Sequence, residues 1–160
     1  MRRLIPLLLA AVVLALPATA SARTLIQFKL LPHSPVVFGP PTAACPVGTK
    51  TIAMSSPSGR VIGEQRVCTL RESFPSDDRL VEVNTVVLDF GSGNAIRARA
   101  TAVFTFSADP SRATFAAAGV VTGGTGRYRN ARGLQVAYGS VRFGEDGAPQ
   151  LDVDSLIVLR

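Results

Sequence analysis

From Thr24 onward, apolar and polar residues alternate with a period of two in run after run, and no stretch sustains the 3.6-residue period of a helix. Thr24–Leu30, Arg60–Leu70, Leu80–Phe90, Ala95–Phe106, Arg112–Thr122, Leu134–Phe143 and Leu151–Leu159 are rich in Val, Thr, Leu or Phe, and each predicts a strand. A shorter strand is predicted near Lys50–Met54. Turn chemistry separates these runs: Pro57-Ser58-Gly59, Pro75-Ser76-Asp77-Asp78, Gly91-Ser92-Gly93, Asp109-Pro110-Ser111 and Gly144-Glu145-Asp146-Gly147. The fold class is therefore all-β, and about eight strands can close into a single antiparallel β-barrel just wide enough for side chains or one small ligand.

Two strands indicate what the faces are for. In Ala95–Phe106, Ile96, Ala98, Ala100, Ala102, Phe104 and Phe106 share a small, apolar face, and Arg97, Arg99, Thr101, Val103 and Thr105 share the other. In Leu80–Phe90, Val81, Val83, Thr85, Val87 and Asp89 alternate with Leu80, Glu82, Asn84, Val86, Leu88 and Phe90, so neither face is purely polar. Such a strand has one face on a cavity and the other under a loop or a neighbouring subunit. Ala113, Ala116, Ala117 and Ala118 extend the small-residue theme, which either packs the wall tightly or leaves room for a ligand.

The amino terminus changes the compartment. Met1-Arg2-Arg3 precedes an almost wholly apolar run from Leu4 to Leu16, and Ala18-Thr19-Ala20 and Ala20-Ser21-Ala22 each offer a small-x-small cleavage pattern. Residues 1–22 are expected to be a secretory signal peptide, and residues 23–160 one mature domain that is secreted, periplasmic or extracellular. A membrane anchor would need an unbroken apolar run of roughly 18 residues, whereas Pro6 and Pro17 interrupt this one. No later segment qualifies, so no membrane span is expected in the mature chain. Loss of Arg2 and Arg3 lowers the formal charge from +6 to +4. The arginines are spread along the strands, with one cluster at Arg127, Arg129 and Arg132, which argues against nucleic acid and allows a weak attraction to anionic surfaces.

Cys45 and Cys68 are the two cysteines, and in an oxidising compartment an even pair is expected to form a disulfide. His33, the single histidine, lies in Leu31-Pro32-His33-Ser34-Pro35, which reads as irregular. One histidine and two cysteines make neither a zinc site nor a nucleophile–base pair, so no metal and no cofactor are expected.

The run Gly123-Gly124-Thr125-Gly126-Arg127-Tyr128-Arg129-Asn130-Ala131-Arg132-Gly133 is the most distinctive stretch. It lacks the Lys-Ser or Lys-Thr of a phosphate-binding loop and the GxGxxG spacing of a dinucleotide site. Its glycines, Gly123, Gly124, Gly126 and Gly133, suit a tight structural turn, with Arg129 and Arg132 available to backbone carbonyls or carboxylates. The run resembles the glycine-rich signature of the dirigent and allene oxide cyclase-like barrels, which reads GGTG, any residue, an aromatic, Arg, any residue, then ARG. The resemblance implies a calycin-like barrel enclosing an apolar cavity, and a function in guiding or catalysing the cyclisation or stereoselective coupling of a hydrophobic small molecule. The acidic pair that dirigent proteins carry in an early strand has no counterpart in Val36-Val37-Phe38-Gly39. Arg129 stands where the cyclase pattern places an acid.

Among acidic residues inside strands, Glu64, Glu82 and Asp89 have apolar neighbours, where burial would suit a carboxyl group to acid–base work. Asp89 and Glu64 are taken as the catalytic candidates, and Tyr128, Arg129, Arg132 and Tyr138 as ligand-binding candidates. The expected partner is a hydrophobic small molecule, with a homo-oligomer as a further option. The competing class is a non-catalytic structural or cell-surface interaction protein with a barrel packed solid.

Overall fold

The computed structural model describes residues 23–30, 35–109, 111–144 and 148–160. The predicted signal peptide, His33 and the acids of the Glu145-Asp146 turn lie outside them. Nine strands follow in order: β1 Thr24–Leu30, β2 Val37–Gly39, β3 Gly48–Ser55, β4 Val61–Ser76, β5 Arg79–Asp89, β6 Ala95–Phe106, β7 Arg112–Thr125, β8 Gly133–Phe143 and β9 Pro149–Leu159. They form one antiparallel sheet in the order β1-β9-β8-β7-β6-β5-β4-β3, which a β1–β3 pairing closes into an eight-stranded barrel.

The ninth strand, β2, completes the seam. β1 pairs Lys29 and Leu30 with Ser55 and Met54 of β3, and β2 continues along the same edge by pairing Val37, Phe38 and Gly39 with Thr51, Lys50 and Thr49. Closure leaves few edge groups to pair with another chain.

Three strands, β3, β4 and β7, run further than the sequence predicts. The short strand predicted near Lys50–Met54 grows to Gly48–Ser55, because β4 offers a partner to each of its residues. β4 runs on through Pro75 to Ser76, although that proline marked a turn. The register shifts between Ser73 and Ser76, so Pro75 sits in a bulge that asks no ladder hydrogen bond of it. The reversal falls at Asp77-Asp78, where Asp78 accepts a 2.6 Å hydrogen bond from the Ser76 hydroxyl, which holds its carboxyl below the usual value. β7 also runs further, to Thr125, so the glycine-rich stretch is first strand and then a 3-10 turn, Gly126–Tyr128.

Alternation turns one face of every strand inward. At the end of the barrel where β7 leads into β8, Phe28, Met54, Leu88, Ile96, Val121 and Ile157 meet as a packed floor. Each such side chain contributes roughly 1.5–3 kcal/mol by leaving water. The Tyr128 ring lies 5.5 Å from that of Phe90 and packs with it against this floor. Gly123, Gly126 and Gly133 adopt positive φ around the same corner.

Cys45 and Cys68 form a disulfide with 5.2 Å between their Cα atoms, tying the segment before β3 to the middle of β4. The bridge closes a loop of sequence separation 23. Chain entropy then predicts a loss on the order of 3 kcal/mol when it is removed. Urea unfolding of Cys45→Ser/Cys68→Ser against the parent checks this, and equal midpoints would show that the bridge does not stabilise the barrel.

Candidate functional site: a lumen open at one end

The other half of the barrel is hollow because small residues fall in register there. Glu82 of β5, Ala102, Ala117, Ala137 and Ser155 of β9 are successive cross-strand partners. The adjacent inward row runs Asn84, Ala100, Gly119 and Gln135. Side chains of one carbon or none cannot reach the barrel axis, so a cavity of about 190 Å³ remains above the floor. That is somewhat more than the ≈ 150 Å³ engineered cavity known to hold benzene in another protein. Phe38, Leu80, Phe104, Phe106, Phe115, Phe143 and Pro149 line its upper part. There the Phe104 and Phe115 rings pack at 5.0 Å and those of Phe106 and Phe143 at 6.3 Å, forming an aromatic mouth.

Six polar side chains break this apolar lining: Lys50, Gln65, Glu82, Asn84, Gln135 and Ser155. Lys50 of β3 reaches over β4 to form an ion pair with Glu82 Oε1. The Glu82 side chain is 4% exposed and that of Lys50 22%, so the carboxylate is deep and the ammonium nearer the mouth. Lys50 Nζ also stands 5.8 Å from the centre of the Phe104 ring. Asn84 Nδ2 donates to the second carboxylate oxygen, Glu82 Oε2, at 3.2 Å. Beyond this network, Asn84 Oδ1, Gln135 Oε1 and Ser155 Oγ are buried with no hydrogen-bond partner among the described residues. Each would cost about 1–3 kcal/mol if left without one.

The site residues expected from sequence lie elsewhere. Glu64 and Asp89 sit on the outer face of β4 and β5, where Arg66 bonds Asp89 Oδ2 at 2.8 Å and Glu64 Oε1 at 3.2 Å. Neither carboxylate lines the cavity; Glu82, one register row away from the Asn84 row and of opposite parity to Asp89, does. Tyr128 and Arg129 border a shallow depression with Thr24 and Leu159 at the closed end, opposite the mouth. Arg132 donates to the carbonyls of Thr122 and Ala131 at 2.8 and 2.9 Å, holding the turn. Tyr138 is 65% exposed on the outside of β8. The glycine-rich run therefore builds the end of the barrel remote from the cavity.

Lys50, Gln65, Asn84, Gln135 and Ser155 were not singled out from sequence. The available signal was parity: Glu82 and Asn84 fall on the same strand face as Val86 and Leu88, and Gln135 on that of Ala137 and Val141. A polar residue in phase with buried apolar ones either faces a cavity or carries an internal partner.

Among the described residues, no group of three or more His, Cys, Asp or Glu gathers to hold a metal ion, and no helix is long and apolar enough to cross a membrane. Fold and lumen together define a closed antiparallel β-barrel with one packed end and one open, aromatic-rimmed cavity. No family model, no curated protein and no solved structure matches the chain.

Proposed function

We propose that this protein binds a small, largely apolar molecule in the lumen, outside the cytoplasm. The observation that carries this reading is the cavity of about 190 Å³, apolar over most of its lining yet furnished with a buried Lys50–Glu82 pair and unpartnered polar atoms. Binding sites for small molecules combine such a lining with a few placed polar groups. The disulfide fits an exported protein. The ligand enters past Phe104, Phe106 and Phe143 and lies against Ala102, Ala117 and Ala137. The resemblance of Gly123–Gly133 to dirigent and allene oxide cyclase-like barrels extends the reading to cyclisation or coupling of the bound molecule. In that case Glu82 is the carboxyl group placed to act, since among the described residues it is the one that lines the lumen.

A monocyclic probe such as n-butylbenzene should bind with Kd of about 10 μM or tighter, roughly −7 kcal/mol. Ala102→Leu places three more carbons in the cavity and should weaken binding at least tenfold. Because the added atoms enter open space rather than a packed core, the thermal midpoint should move by no more than about 4 °C. Calorimetric titration of both proteins decides the matter: no heat with the parent, or equal affinity in Ala102→Leu, would leave the packed structural barrel as the better reading.

A further inference from the structure

Resting on the lumen as the binding site, we infer that its ligand carries a neutral hydrogen-bond donor, a hydroxyl group on an otherwise apolar body, and that Asn84 Oδ1 accepts from it. Asn84 is 3% exposed, and its amide orientation follows from its neighbour. Nδ2 faces Glu82 Oε2 at 3.2 Å, and an ionised carboxylate engaged by Lys50 only accepts, so the amide must turn its NH2 to that side. What is left of the amide of this cavity-lining residue is an acceptor. Oδ1 is buried without a partner among the described residues, and Gln135 Oε1 and Ser155 Oγ are likewise unpartnered on the facing strands β8 and β9.

This set of atoms selects among head groups. A ligand carboxylate or carbonyl would bring acceptor against acceptor at Asn84, and the Lys50 ammonium that could answer it is held by Glu82. An ammonium ion would have to shed its water in a mostly apolar lumen where both oxygens of Glu82, the one lining carboxylate among the described residues, are engaged. A plain hydrocarbon would fill the space but leave Asn84 Oδ1 unanswered, so it binds more weakly than an alcohol on the same apolar body. A hydroxyl group answers the acceptor without a net charge, because its O–H donates to Asn84 Oδ1. Thr69, directly across from Asn84 on β4, also has an unpartnered buried hydroxyl but does not line the cavity.

The test pairs 2-cyclohexylethanol with its methyl ether, which keeps the apolar body and the oxygen but removes the donor. Both are titrated into the folded mature protein and into Asn84→Leu. The parent should bind the alcohol at least tenfold more tightly than the ether, and Asn84→Leu should bring the two within about twofold, chiefly by weakening the alcohol. Equal binding of alcohol and ether by the parent, or a preference that survives Asn84→Leu, overturns the inference while leaving the lumen as a binding site. If Asn84→Leu fails to fold, the parent's alcohol-to-ether ratio still decides the donor requirement. Binding of neither compound overturns the lumen reading and the inference with it.

Discussion

Lys50→Met is expected to lower stability by about 3–5 kcal/mol, a drop of roughly 10–15 °C in the unfolding midpoint, and Glu82→Leu added to it is expected to restore most of the loss. The asymmetry follows from depth. With Lys50 gone, the Glu82 carboxylate, 4% exposed, keeps only the Asn84 amide as its partner among the described residues. Removing both charges ends that penalty and leaves two apolar side chains in an apolar wall. A buried ion pair is thus costly to break and of little net worth to keep. Chemical unfolding of the two single variants and the double variant measures the coupling. If Lys50→Met alone costs under about 1 kcal/mol, the carboxylate is better solvated than its burial implies, and its role in the lumen falls with it.

The second large effect is expected at the closed end. Gly124→Ala should cost about 3–4 kcal/mol, whereas Gly91→Ala should cost about 1 kcal/mol. A Cβ at Gly124 would run into the carbonyl oxygen of Ala95 and the carbonyl oxygen of Tyr128, with the Tyr128 Cβ 2.9 Å away. These are backbone and near-backbone atoms of the β6–β7 ladder and the 3-10 turn, so no side chain can swing aside to make room. Gly91, at φ +78°, has nothing within 4 Å of its added Cβ, so its substitution meets only the backbone penalty of a left-handed conformation. Urea midpoints for the two variants compare the terms directly. Equal losses would mean that close approach in the GGTG corner contributes nothing beyond conformation. Because Tyr128 follows this corner and packs with Phe90 against the floor, Gly124→Ala should also loosen the closed end without touching the mouth.

Much of the fold was legible because a closed antiparallel sheet repeats one rule along its length. Ile96, Ala98, Ala100, Ala102, Phe104 and Phe106 alternate in the chain and all face inward in the barrel, since each strand has a core on one side and solvent on the other. The Cys45–Cys68 pairing was equally legible, there being two cysteines and one way to join them. Pro75 misled because its effect on a strand depends on whether its missing N–H falls in a ladder or a bulge, which is a property of the partner strand. The candidate site was legible only in part. Glu64, Glu82 and Asp89 looked alike in local context, yet Glu82 has opposite parity to Asp89, and β4 turns Glu64 to the outside beside Arg66.

Local alternation determined which side of each strand would be wet, and turn chemistry determined nearly every reversal, because both act between residues close in the chain. Depth along the barrel was decided only by tertiary structure. Ala102, Ala117 and Ala137 form a hollow because the registers of β6, β7 and β8 bring them into one row, and Phe28, Leu88 and Ile157 form a floor for the same kind of reason. A shift of any one strand by two residues would keep every face correct and still fill the cavity or scatter its polar groups. The ends differ likewise: the glycine-rich run could be read as a corner, but that it closes the barrel opposite the aromatic mouth follows from how eight strands stagger when they meet around a ring.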